Sequence, residues 1–372
     1  MSEAMSTARK ATIREDRHGA LPRSATNECL AQIIAPAGWA TKPELPPDLS
    51  WPQLLEASSE HVVTLALAWR MADDERVPPA LRKHLQAALA LGRERNRLLR
   101  THLGAIGRIL NDEGIVPTLL KGASYLARNL YPDDGMRYMG DIDLLVPAES
   151  LGRARATLER QGFVSAPADT LQRDHHHLPL MHHAAWGVAV ELHRRPVGTA
   201  WSAIIDEEDL LREGTSAPVG EATFLLPSPT HSVVMGIVHS QLHDGGHRLR
   251  RPWLRALLDF ARQVEVFGPA IDWHEIEARL RAAPRGVLAE FLVLAEHLMT
   301  VPVPLTADAE ARLAPLRMAR ALDRPAARRT LVTTGDLAMG AWRMLTRLGE
   351  LRLRSFSRSN WRRRFARYAR RW

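Results

Sequence analysis

The sequence predicts an α+β fold, a small sheet with its own helices set between two helical regions. Two observations carry that prediction. Apolar residues recur at three- and four-residue spacing over most of residues 31–114 and again after about residue 201. Between them, "DIDLLVP" and "VAVELH" change to the two-residue alternation of strands, with the turn-rich "PDDGMRYMG" and "AAWG" beside them.

Taken in order, residues 1–30 read as a polar, disordered arm. They hold no apolar stretch of the kind a secretory signal needs. In 31–114, "WPQLLEASSEHVVTLALAWRMA" is one helical pattern, and "PPALRKHLQAALALGRERNRLLRTHLGAIGRILNDEG" is a second, started by Pro78 and Pro79 and ended near Gly114. Residues 115–200 form the α/β unit. There "IVPTLLKG" is a short apolar run leading into "ASYLARNLY" at helical spacing. "DIDLLVP" follows as a strand, "SLGRARATLERQG" as a helix, and "HHLPLMHH-AAWG-VAVELHRR" as a β-hairpin. Residues 201–336 return to helices, interrupted by "SAPVGEATFLLPSPTH", which reads as one short strand. Residues 337–372 form Arg-rich amphipathic helices.

Composition excludes several function classes. A chain of 372 residues with 45% hydrophobic content buries a sizeable core. Its single cysteine, Cys29, rules out an internal disulfide framework and fits a reducing cytoplasm. No apolar run approaches the roughly 20 residues of a membrane-spanning helix. The expected location is therefore cytoplasmic, at most peripheral to a membrane. Lys and Arg number 50 against 42 Asp and Glu, and the excess gathers at the C-terminus.

The chemistry begins in "YMGDIDLLVP", Tyr138 to Pro147. Alternate strand residues share a face, so Asp141 and Asp143 project together while Ile142, Leu144 and Val146 face the core. Two carboxylates so close repel unless a cation sits between them. In "VAVELH", Val188, Val190 and Leu192 face one way; Ala189, Glu191 and His193 face the other, so Glu191 can join the pair. Three carboxylates suit Mg²⁺ or Mn²⁺, hard cations that take oxygen ligands. Lys121 and Gly122 stand at a strand-to-helix turn, where backbone N–H groups and the helix dipole favour a phosphate. This is the apparatus of phosphoryl-group displacement, which needs positioning and charge neutralisation more than a nucleophilic side chain.

"LLKGASYLARNLYPDDGMRYMGDIDLLV" followed by "VAVELH" resembles the bacterial uncharacterised nucleotidyltransferases of the DNA polymerase β superfamily. "EHVVTLALAWRM" and "VPPALRKHL" upstream, and "HSQLHDGGHRLRRPWLRALLDFARQV" downstream, are also like that family. The resemblance implies a polymerase β-like palm, a small mixed sheet with helices, that uses Mg²⁺ and a nucleoside triphosphate such as ATP. By it, Asp141, Asp143 and Glu191 are catalytic and metal-binding, with Glu191 assisting deprotonation of an acceptor hydroxyl. Lys121, Gly122 and Ser124 hold the triphosphate, and Arg137 clamps a phosphate. The superfamily usually has Gly-Ser at this turn, whereas here Ala123 separates Gly122 from Ser124. The acceptor, whether protein or peptide, sugar, small molecule or RNA end, is left open.

Two rivals share some of these features. A D-x-D glycosyltransferase would open with a nucleotide-binding α/β half, whereas the first ~110 residues here are helical. A catalytically idle nucleotide- or nucleic-acid-binding protein with the same palm remains the alternative, although no carboxylate is missing. "DHHHLPLMHH" and the helically spaced His239, His243 and His247 suggest a transition-metal site, but no cysteine joins them. Packing or cleft lining is the expected role of His239 and His243. In "NWRRRFARYARRW", Trp361, Phe365, Tyr368 and Trp372 share one helical face among arginines. That face predicts either docking on the core or an anionic partner, a membrane surface or a nucleic acid.

Overall fold

Seven strands build the sheet: β1 (Thr118–Leu119), β2 (Ile142–Leu145), β3 (Val164–Ser165), β4 (Met181–His183), β5 (Val188–His193), β6 (Thr215–Val219) and β7 (Ala222–Leu226). Their spatial order is β3-β4-β5-β2-β1-β7-β6. β2 runs parallel to β5 and β1 parallel to β7, while the remaining pairs are antiparallel, so the sheet is mixed as expected. The computed structural model describes residues 21–165, 176–304 and 308–323, all within the unit that closes at Asp323. The Arg-rich region 337–372, with its aromatic stripe, lies outside the described residues.

The sequence reading needs two corrections. A helix covers Arg23–Ile34, so the stretch read as a polar arm is helical from Arg23 onward. Its buried residues, Thr26, Cys29, Leu30 and Ile33 among them, face the helical core at three- to four-residue spacing. Secondly, "SAPVGEATFLLPSPTH" supplies two strands, β6 and β7, joined at Gly220, and β7 pairs with β1. The sheet therefore extends past residue 200. The pattern Ala222, Phe224, Leu226 buried and Thr223 exposed is the alternation of a half-covered strand.

The long helix Pro79–Asn111 joins the two halves of the core. Pro79 stands in its first turn, where a missing N–H costs nothing, and Gly114 follows its end at φ 72°. At about 50 Å it is long enough to pack on the N-terminal helices with Leu85 and Leu89 and on the sheet with Leu103, Ile106 and Leu110. Gly107 lets it approach the sheet, because a Cβ there would overlap the Phe224 ring.

The same helix fixes the loop that leads into the strand with the two aspartates. Arg95 Nε donates to the Met139 carbonyl (2.6 Å) and its Nη2 to the Gly140 carbonyl (3.1 Å). Asn96 Nδ2 donates to the Arg137 carbonyl at 2.8 Å. Asp141 thus enters the sheet from a backbone held at the carbonyls of Arg137, Met139 and Gly140. Among the described residues no helix is long and apolar enough to cross a membrane.

On the C-terminal side, the helix Glu207–Glu213 is tied to the helix Trp273–Leu280. Asp209 accepts from Arg279 Nη1 at 2.7 Å and Nη2 at 3.0 Å, and it also closes a capping box with Asp206. These bonds hold the Asp209 carboxyl down at about 2, against an ordinary value of 3.8, with the Arg279 hydrogen bond as the largest cause. A depressed carboxyl stabilises the fold above its unfolded pKa, and that contribution is lost as pH falls through the folded value. Asp209→Asn is therefore expected to cost about 2 kcal/mol at neutral pH. The difference from the parent should shrink as pH drops from about 4 to 2, measured by urea unfolding across pH.

Candidate functional site

β2 and β5 lie side by side with Asp143 opposite Glu191 and Leu145 opposite His193. Parallel register thus brings the second aspartate and the glutamate together on one face, while Val190, Leu192 and Leu144 fill the core beneath. Asp143 Oδ1 accepts from Lys121 Nζ at 2.9 Å and from His193 Nε2 at 2.8 Å. Glu191 Oε2 stands 3.4 Å from the same imidazole nitrogen. One ligand atom from each of Asp143, Glu191 and His193 falls within 4.8 Å of the others.

The electrostatics follow from this crowding. Burial pushes the Asp143 carboxyl up, but Lys121 and His193 outweigh it and hold it well below the usual carboxylate range. Glu191 is also lowered: burial opposes, and His193 and His177 prevail. Burial works against the charged form of His193, yet its bonds to Asp143 and Glu191 raise its pKa above the ordinary histidine value. Asp141, half-buried at the strand entrance, is raised by burial first and then by the charges of Asp143 and Glu191. The expected like-charge repulsion is therefore present. It is relieved at Asp143, where an ammonium and an imidazole stand on one oxygen, and it persists at Asp141.

Lys121 opens the short helix Lys121–Ala127 directly after β1, so the strand-to-helix turn is as expected. Its φ of 45° places a lysine in the left-handed region, a conformation that costs about 1–2 kcal/mol and concentrates at functional sites. Gly122 has a packing reason of its own: a Cβ there would overlap Arg137 Nη1. Arg137, expected as a phosphate clamp, donates instead to Asp259 through Nε (2.8 Å) and Nη2 (2.9 Å), with only Nη1 turned toward Gly122. Tyr131 adds its hydroxyl to the same carboxylate at 2.6 Å. Ser124, expected among the phosphate ligands, is buried and donates to the Lys121 carbonyl at 2.8 Å, so its hydroxyl stabilises the turn.

Behind this turn lies a cavity of about 360 Å³, lined by Lys121, Tyr125, Arg137, His239, Asp244 and Asp259 among others. Beside the carboxylates, the rings of His176 and His177 each lie 5.3 Å from that of His193. Burial, followed by His193, His177 and Lys121, drives His176 down to about 2, so it is neutral in any physiological buffer. Sequence reasoning placed His193 on the Glu191 face by alternation without giving it a role. The signal for a role was present, because an inward-facing histidine two residues from a carboxylate needs a partner. Asp259 had no such signal, since its partners Arg137 and Tyr131 lie more than a hundred residues away.

The mixed sheet thus presents Asp143 and Glu191 side by side, near the Lys121–Gly122 turn. The chain belongs to the uncharacterised nucleotidyltransferase family, whose model matches residues 47–300. Solved structures similar to it include the antibiotic-resistance factor ANT(2'')-Ia, at 13% identity and TM-score 0.35, covering 54% of this chain and 96% of that one. Another is a nucleotidyltransferase-like antigenic protein from Paracoccidioides brasiliensis, at 15% identity and TM-score 0.34, covering 56% and 94%. No curated protein matches the chain.

Proposed function

We propose that this nucleotidyltransferase moves a nucleoside monophosphate from ATP, or another nucleoside triphosphate, to a hydroxyl acceptor with the help of Mg²⁺. The observation that carries the reading is the facing pair Asp143 and Glu191, with Asp141 beside them and a cationic side chain already seated on Asp143. The donor set fits a hard divalent cation: three carboxylates, one raised by burial and by the charge of its neighbours, and one balanced by the Lys121 ammonium and the His193 imidazole. Asp141, Asp143 and Glu191 would hold the ion. Bound there, it supplies positive charge to the phosphoryl oxygens during displacement.

The chain's own groups account for the remainder. The acceptor oxygen attacks the α-phosphorus, the bond to the β-phosphate oxygen breaks, and pyrophosphate leaves. Glu191 takes the proton of the acceptor hydroxyl, with the His193 imidazole behind it to balance charge. The Lys121 ammonium, which stands on Asp143 Oδ1, would pair with the triphosphate, a point charge well suited to an anion of changing shape. Gly122 and Arg137 keep the turn in place for it.

Lys121→Ala is accordingly expected to weaken binding of Mg²⁺–ATP by about tenfold or more, the usual worth of a hydrogen bond to a charged group, and to leave adenosine binding unchanged. Calorimetric titration of both ligands checks this; equal losses would make Lys121 a purely structural residue. The acceptor class is approached by supplying α-labelled ATP with cell extract and locating the labelled product. The proposal that the segment after about Ser359 meets an anionic partner, a membrane surface or a nucleic acid, is tested by truncation before Asn360, followed by vesicle and RNA binding across a salt series. Phosphate pairing should weaken steeply with salt.

A further inference from the structure

We propose that His239, His243 and Asp244 form a second cation site, separate from the three carboxylates, that takes a borderline transition-metal ion such as Zn²⁺ or Co²⁺. The residues Val238–His243 form a π-helical turn, a rare widening of the helix that is frequent at functional positions. It brings the rings of His239 and His243 to 4.9 Å, tilted by 31°, on one side of the chain. Both rings present Nδ1 to the same carboxylate, His239 at 3.2 Å from Asp244 Oδ2 and His243 at 3.1 Å from Asp244 Oδ1.

Those separations are hydrogen-bond distances, slightly shorter than the ligand spacing of a tetrahedral ion. Bonds of about 2.0–2.2 Å at tetrahedral angles separate neighbouring donor atoms by roughly 3.3–3.5 Å. One donor atom from each of the three residues falls within 4.8 Å of the others, which puts all three within reach of a single ion. Two imidazoles and one carboxylate also form a complete three-residue set without cysteine. The absence of cysteine, which argued against such a site at the level of sequence, therefore does not exclude it.

The charge states suit the same ion. Burial holds His239 below the ordinary histidine value, so its nitrogen is available as a neutral ligand. Burial raises the Asp244 carboxyl, but His239 and His243 outweigh it and keep the group ionised. Two nitrogens and one oxygen favour a softer cation than the all-oxygen set at Asp141, Asp143 and Glu191. Three protein ligands leave a coordination position open, and His239 and Asp244 line the same cavity as Lys121. A ligand in that cavity would meet a second positive centre, so an anionic group is the chemistry it favours.

The test uses the full chain, stripped of metal and without nucleotide, so its outcome is independent of whether ATP is the substrate. Co²⁺ is titrated and read by its visible absorption, which reports nitrogen-containing low-symmetry coordination, and Zn²⁺ is titrated by calorimetry. At least one equivalent with that absorption is expected in the parent protein, and one is expected to persist in Asp143→Asn. His243→Ala should lower the affinity at least tenfold; His243 is half-exposed, so removing its ring leaves the core intact. Asp244→Asn, which keeps the side chain's shape, should show the same loss. Binding unaltered in both variants, or lost in Asp143→Asn and retained in His243→Ala, would overturn the proposal. In that case the trio is a hydrogen-bonded clamp alone.

Discussion

Asp143→Asn is expected to lower nucleotidyl transfer by about a thousandfold. A bound divalent ion contributes several kcal/mol to charge stabilisation in phosphoryl displacement, and each 1.36 kcal/mol is a factor of ten in rate. Asparagine preserves the shape of the side chain but carries no charge. It would leave the Lys121 ammonium and the His193 imidazole without the carboxylate that both now contact at under 3 Å. The loss should therefore appear in the rate and in Mg²⁺ dependence together. His193, deprived of its strongest anionic neighbour, should titrate at a lower pH than in the parent, which proton NMR of the imidazole can follow. A variant that keeps full transfer would remove Asp143 from the catalytic set.

The second large effect concerns stability. Asp259→Ala is expected to cost about 3–5 kcal/mol, the usual consequence of leaving one partner of a buried ion pair alone. Arg137 and Asp259 have side chains only 13% and 10% exposed, and Tyr131 donates to the same carboxylate. Burial of the Tyr131 ring, with Asp259 beside it, raises its hydroxyl pKa well above the ordinary tyrosine value, so the phenol stays a donor. Removal of Asp259 leaves a guanidinium and a phenol hydroxyl unpaired against the Gly122 turn. The double variant Arg137→Met/Asp259→Leu removes both charges and should recover much of the loss, because apolar replacement of a buried pair is often neutral. Chemical denaturation of the parent, single and double variants gives the coupling directly. Additive losses would show that the two residues act separately.

Much of the palm was readable because strand alternation leaves a period-two record. The face shared by Asp141 and Asp143, the face shared by Glu191 and His193, and the Lys121–Gly122 turn all follow from local spacing. What spacing cannot supply is register between strands distant in sequence. Opposition of Asp143 and Glu191 depends on β2 and β5 being parallel neighbours, with the helix Leu151–Arg160 and the β3–β4 pair between them in the chain. The misread elements have equally physical causes. Thr26, Asn27 and Ser24 made the start of the first helix look like a solvated arm, yet all three are buried. The β6–β7 pair looked like one strand because its turn at Gly220 is short and its outer strand carries Pro218 and exposed residues, as edge strands do. The pairing of Arg137 with Asp259 was not legible either, because Asp259 stands on a helix far along the chain.

Nucleotidyl transfer at the carboxylate face of β2 and β5 requires attack on the α-phosphate of a nucleotide. Parallel reactions with ATP labelled at the α- or the γ-phosphate, Mg²⁺ present and cell extract as the source of acceptor, test that most directly. The expected result is α-label on the acceptor, pyrophosphate released and no γ-label transferred, with α-label transfer about a thousandfold slower in Asp143→Asn. Transfer of the γ-label without the α-label would mean a kinase and would contradict it.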